Sequence, residues 1–135
     1  MQWGHTVSGL NRLLLVAVSW REPLGEEFIA SVTYAGRPLT VLTDVANGDG
    51  RSAIFLLPDP PTGTNTVVIT WTGSNPKTVV AGSVSYNGTE PSGPVGAGLS
   101  RTGNSAAPAI PIITSNAFGL AQDSLGIFPA SGTAI

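Results

Sequence analysis

Serine-type hydrolysis needs a histidine to take the nucleophile's proton, and His5 is the only histidine in the chain. It stands near the amino terminus beside a short β-branched stretch, where a turn or strand-end role fits it better than that of a general base. Thiolate chemistry and disulfide staples are excluded, because there is no cysteine. Glycoside cleavage needs an acid and a base across the scissile bond. The acids present, Glu22, Glu26, Glu27, Asp44, Asp49, Asp59, Glu90 and Asp123, fall mostly in expected loops and none repeats along a strand facing a cleft. They read as solvated loop charges. The best metal candidate is Asp44-Val45-Ala46-Asn47-Gly48-Asp49-Gly50, with Asp44, Asn47 and Asp49 as oxygen ligands for calcium. The spacing departs from an EF-hand, and Leu56 occupies the closing position when Val45 is counted as the first ligand. Asn-Gly and Asp-Gly are also common turn pairs. Calcium is thus the one candidate cofactor; no other is expected, and the chain reads as non-enzymatic.

Binding chemistry is similarly sparse. Six Lys and Arg residues are scattered along a chain of net charge −2, which excludes the basic patch that nucleic acid requires. No Gly-rich loop opens a helix, so phosphate cradling has no support. Asn87-Gly88-Thr89 fits a glycosylation sequon, but Asn-Gly is explained by a turn. Glycan binding would use aromatic side chains stacked on sugar rings. Trp20, Trp71 and Tyr86 fall at strand ends or on apolar faces and read as core, leaving Trp3 as the tryptophan expected to be most exposed. The first apolar run is too short for a membrane span and no basic segment precedes it, so neither a membrane partner nor a cleaved export signal is expected if Met1 is the natural start.

The elements that would position these residues are strands. Residues 12–20, Arg-Leu-Leu-Leu-Val-Ala-Val-Ser-Trp, are apolar on both faces: Leu13, Leu15 and Ala17 on one, Leu14, Val16, Val18 and Trp20 on the other. A strand covered on one side only would alternate, so this one is central, with protein on both faces. Residues 5–9 form a short strand ending in a turn. In residues 28–34, Phe28, Ala30, Val32 and Tyr34 share one face. Ala35-Gly36 turns the chain so that residues 39–42 return as the hairpin partner, and residues 43–50 form a loop. Strands follow at 52–57, at 66–72 with Val67, Ile69 and Trp71 inward and Thr70 and Thr72 outward, and at 78–86, where Gly82 marks a bulge or a close backbone contact. Seven short strands without a helix predict an all-β, two-sheet antiparallel β-sandwich of jelly-roll or Ig-like type over residues 1–90.

From residue 91 the composition changes. Arg101 and Asp123 are the only charges left, and Pro, Gly, Ser and Ala dominate to about residue 107. One edge strand is expected near 109–115, with Pro111 confining it to an edge. A disordered tail is typically polar and charged; this one is neither. Residues 91–135 are therefore expected to be an extended arm laid over the sandwich or over a neighbour, with Ile110, Ile112, Phe118, Leu120, Leu125 and Phe128 as its contacts.

His5-Thr6-Val7-Ser8-Gly9 followed by Asn11-Arg12-Leu13-Leu14-Leu15-Val16 and Val18-Ser19-Trp20, then Val32-Thr33-Tyr34-Ala35-Gly36, Pro60-Pro61-Thr62-Gly63-Thr64-Asn65-Thr66-Val67-Val68 and Ala81-Gly82-Ser83-Val84-Ser85-Tyr86-Asn87-Gly88, resembles a β-sandwich module common in bacterial surface and phage-encoded structural proteins. The resemblance covers roughly residues 5–90 and concerns core strands and turns, so it implies an architecture and no catalytic site. Such modules usually continue with further strands, and this chain departs from the pattern after about residue 95. An unfinished sandwich leaves an edge that must be paired or covered. With only 10% charged residues, a low net charge that favours self-association and an apolar arm, the chain is expected to be a structural subunit of a larger assembly. Its expected setting is the virion, as a capsid decoration or cement protein contacting capsid or like subunits, and as a homo-oligomer. A filament or adhesin subunit at the cell surface and a carbohydrate-binding module are the alternatives.

Overall fold

The computed structural model describes residues 1–21, 28–73, 76, 78–90, 95–96, 98–105, 107–111 and 119–127. Its strands, in chain order, are β1 (Gln2–Val7), β2 (Leu13–Arg21), β3 (Phe28–Tyr34), β4 (Arg37–Pro38), β5 (Thr40–Asn47), β6 (Gly50–Pro58), β7 (Gly63–Thr72) and β8 (Thr78–Tyr86). The apolar run is the central strand that its two-faced pattern predicts. β2 pairs over its whole length with β6 on one side, Leu13 opposite Pro58 and Arg21 opposite Gly50, and with β8 on the other, Leu13 opposite Tyr86 and Arg21 opposite Thr78. The two four-stranded sheets have the orders β1-β7-β3-β4 and β5-β6-β2-β8, and every pairing is antiparallel. The fold is an all-β two-sheet sandwich.

Between the sheets, the even-numbered side of β2 meets the inward rows of β3 and β7. Leu14, Val16, Val18 and Trp20 pack in one cluster with Val32, Tyr34, Val67 and Ile69, all buried. The Trp20 and Trp71 rings meet edge to face at 5.5 Å, so both tryptophans are core residues. The inward and outward alternation of β7 is as its pattern predicts, with Thr64, Thr66, Thr70 and Thr72 exposed on the far side. One end of the sandwich is tied by Arg12. Its guanidinium donates to the Pro60 carbonyl at 2.9 Å, to the Gly9 carbonyl at 2.8 Å and to the Asp59 carboxylate.

Several local expectations are corrected. A register shift between Ile29 and Ser31 breaks the alternation of β3. Ile29 therefore packs on the core with Val32 and Tyr34, while Ala30 is exposed; a β-bulge inserts one residue and flips the rows before it. Ala35 and Gly36 have φ of 50° and 76°, the two left-handed residues of a type I′ hairpin turn. The returning strand nevertheless ends at once: only Arg37 and Pro38 pair with β3, and a proline has no N–H to donate to a ladder. The chain then crosses with buried Leu39 to the second sheet, so residues 40–47 are a strand paired with β6 rather than part hairpin, part loop. β1 is longer than expected and starts at Gln2, which places His5 inside the strand. Gly82 sits in unbroken register opposite Ala17, and a Cβ there would meet nothing within 4 Å. It marks a hollow, not a bulge or a contact. Residues 109–111 are not in a strand, and 112–115 lie outside the described residues.

Candidate assembly face

The outward row of β2 explains why its sequence does not alternate. Leu13, Leu15 and Ile54 lie on the far side of the second sheet, yet only 4%, 7% and 8% of their surfaces are exposed. They form a second apolar cluster flanked by Leu42, Leu56, Val84, Tyr86 and Val95. Burial on that side comes from the carboxyl-terminal segment. Val95 packs on the cluster, and Gly98 lies so close to β5 that a Cβ would stand 2.7 Å from the Leu42 carbonyl oxygen. Further along, the Tyr86 hydroxyl donates to Gln122 Oε1 at 2.6 Å, and the Ser124 and Ser52 hydroxyls are 3.3 Å apart. The segment thus passes over the β5 side first and returns over β6, β2 and β8.

The cover is incomplete. Ala17 and Gly82 are neighbours on β2 and β8, and their small size leaves a hollow of about 240 Å³ floored by both and walled by Leu15, Ile54, Val84 and Gln122. A second hollow of about 510 Å³ opens between Ser19, Arg21 and Val80 on the sheet and residues 124–127 above them. The arm also leaves apolar side chains exposed: Leu120, Leu125 and Ile127 are 71%, 60% and 78% exposed, and Leu99 is exposed as well. Of the expected arm contacts, Ile110 is half-buried, while Leu120 and Leu125 are exposed, Leu125 at the rim of the second hollow. Ile112, Phe118 and Phe128 lie outside the described residues. Val95, Gly98 and Gln122 carry the observed docking and were missed, because a valine, a glycine and a glutamine in a Pro/Gly-rich stretch give no periodic signal.

The candidate calcium ligands are spread along a hairpin. Asp44 is on β5 with its carboxylate 3.5 Å from Arg51 Nη1; Asn47 ends the strand; Asp49 is in the turn, its carboxylate 2.7 Å from Arg21 Nε. Arg21 belongs to the outward row of β2, whereas Arg51 pairs with inward Trp20 and lies over the Phe28 ring of the other sheet at 4.8 Å. The two carboxylates therefore serve opposite faces. No group of three or more His, Cys, Asp or Glu side chains that could hold a metal ion occurs among the described residues.

His5, Ser83 and Trp3 form a polar clasp where β1 of one sheet meets β8 of the other. Trp3 Nε1 donates to Ser83 Oγ at 2.9 Å, and Ser83 Oγ is 3.0 Å from His5 Nδ1. An indole N–H can only donate, so Ser83 accepts from Trp3 and its one proton is free for His5 Nδ1. The other ring nitrogen, Nε2, is buried without a hydrogen-bond partner among the described residues. Burial lowers the pKa of His5 below its ordinary value. The pair has the distance of a serine–histidine dyad, but no carboxylate among the described residues orients the ring, and the hydroxyl is held by the tryptophan. What it does is join two sheet edges. The Trp3 ring, expected to be exposed, is half-buried in that junction, so the three tryptophans offer no exposed stacking platform. Asn87-Gly88 forms the expected turn: Gly88 has φ of 68°, and the Thr89 N–H and hydroxyl donate to the Asn11 carbonyl at 2.9 and 2.7 Å.

No protein-family model matches the chain, and no curated protein or solved structure matches it.

Proposed function

We propose that this chain is a non-enzymatic structural subunit of a larger protein assembly, and specifically a decoration or cement protein that stabilises a capsid lattice. One observation carries the reading: the outer face of the second sheet is apolar enough to bury Leu13, Leu15 and Ile54 under the chain's own arm, and the arm still leaves Leu99, Leu120, Leu125 and Ile127 exposed. Apolar patches of this kind mark contact surfaces. The opposite outer face is a threonine surface suited to water. A subunit that meets its neighbours through neutral, apolar contacts stabilises a lattice by area removed from water, at roughly 25 cal/mol per Å² before the costs of association. The inward tryptophans weigh against the carbohydrate-binding alternative.

The test is proteolysis and replacement of the arm. Residues 95–127 should be cleaved readily in the isolated subunit and protected in assembled particles. Joint replacement of Leu120, Leu125 and Ile127 by serine should leave the sandwich folded and abolish particle association. Equal cleavage in both states, with undiminished association of the variant, would contradict the reading.

A further inference from the structure

We infer that β8 is a self-pairing edge, at which two copies of this chain join their second sheets into one continuous eight-stranded sheet about a two-fold axis through Gly82. β8 ends the order β5-β6-β2-β8, and among the described residues no backbone hydrogen bond outside its ladder with β2 reaches its strand residues. Natural edge strands are blunted by charge, proline, bulges or shortness, and two of the other three edges here follow that rule. β5 carries Asp44 and a register shift between Val41 and Thr43. β4 is two residues long and contains Pro38; β1 is unguarded too, but with six residues offers a shorter ladder than the nine of β8. β8 has none of these guards. Its nine residues, Thr-Val-Val-Ala-Gly-Ser-Val-Ser-Tyr, include no charge and no proline, and its register with β2 is unbroken.

The occupant that fits is a second β8. Full antiparallel overlap of two nine-residue strands places Gly82 opposite Gly82, Val80 opposite Val84 and Thr78 opposite Tyr86 on one face, with Ala81 opposite Ser83 and Val79 opposite Ser85 on the other. Because the residue count is odd, maximal overlap keeps the rows in phase: outward residues oppose outward ones and inward oppose inward. A one-residue slip would put each apolar row opposite the wrong face. No like charges meet. Val80, 72% exposed in the single chain, gains an apolar cross-strand neighbour. Gly82 at the axis leaves the hollow under the arm open on both copies. The inference is independent of the arm contacts: a monomer still recruited to particles would overturn edge pairing and leave the proposed function standing.

The absence of cysteine makes the register directly testable in the full chain. Antiparallel neighbours have Cα atoms about 4.5–5.5 Å apart, within disulfide range, and a Cβ at Gly82 meets nothing within 4 Å. Gly82→Cys should therefore cross-link to a dimer under mild oxidation at least about tenfold faster than Val80→Cys, whose two copies would lie four residues apart across the axis, at about 3.4 Å per residue. Light scattering on the unmodified protein should give twice 13.7 kDa. Val80→Lys, a change at an exposed site, should weaken the dimer at least about tenfold with unchanged circular dichroism. A monomer at all concentrations, Gly82→Cys and Val80→Cys cross-linking at equal rates, or a dimer indifferent to Val80→Lys would each overturn the proposal. So would a free edge found covered by the chain's own carboxyl-terminal segment.

Discussion

Ser83→Ala removes one oxygen and disturbs three side chains. Ser83 Oγ accepts from Trp3 Nε1 at 2.9 Å and meets His5 Nδ1 at 3.0 Å. The ring's other nitrogen is already buried without a partner, so the variant leaves the imidazole with none on either side. A hydrogen bond whose loss is compensated by water costs about 0.5–1.5 kcal/mol, and one that leaves a buried group unpartnered about 1–3 kcal/mol. Trp3 and His5 are half-buried as residues, so water repairs part of the damage. The expected loss is about 2–3 kcal/mol, a large share of the roughly 5–15 kcal/mol typical of a domain. Urea unfolding followed by tryptophan fluorescence measures it. The midpoint should fall by about 1 M, with an unchanged slope in the usual range of about 1–3 kcal/mol per M. A double-mutant cycle with Trp3→Phe should show coupling of about 1 kcal/mol. A Ser83→Ala variant within about 0.5 kcal/mol of the parent, or zero coupling to Trp3, would refute the clasp as a link between β1 and β8.

Because burial lowers the His5 pKa, the unfolded chain binds its proton more readily than the folded one. Stability is then fully present above about pH 6.5, the unfolded value, and is lost as pH falls below it toward the folded value. His5→Phe should flatten that part of a stability–pH curve, and an unaltered curve would contradict the assignment. Leu15→Ala should cost about 2–4 kcal/mol, as for a buried leucine, although Leu15 faces outward; Val80→Ala on the same face should cost less than about 0.5 kcal/mol. Equal small losses in thermal or urea unfolding would mean that the arm does not cover the sheet. Calcium should leave the melting temperature unchanged, since each candidate carboxylate is held by an arginine, and Asp49→Ala should lower it by the same amount with or without calcium. A calcium-dependent rise that disappears in Asp49→Ala would support the metal reading instead.

The architecture was legible wherever burial imposes a period. The two-faced run of β2, the alternation of β7 and the Ala35-Gly36 and Asn87-Gly88 turns are local patterns with one structural solution each. What was not legible depends on distant partners. The bulge in β3 moves Ile29 to the core because β7 fixes the register there, and nothing in Phe28-Ile29-Ala30-Ser31 announces it. The departure of the chain after Pro38 depends on Leu39 finding its place between the sheets. Asp44 and Asp49 read as ligands in sequence because the arginines that neutralise them, Arg51 and Arg21, come from β6 and from β2. His5 and Ser83 are separated by 78 residues, and only the facing of two sheet edges brings them together. The arm was expected from composition, but its docking residues were not, since close approach by Gly98 and a hydrogen bond accepted by Gln122 from Tyr86 leave no pattern.

The central claim, that the chain works as a structural subunit by contact rather than by chemistry, is tested most directly by quantitative mass spectrometry of purified particles from the cells or virus that produce it. The account predicts the chain in a fixed ratio to the principal shell subunit, retained through gradient sedimentation and lost on joint replacement of Leu120, Leu125 and Ile127 by serine. Finding it only in the soluble fraction, or in particles at a ratio that varies with its expression level, would contradict the account.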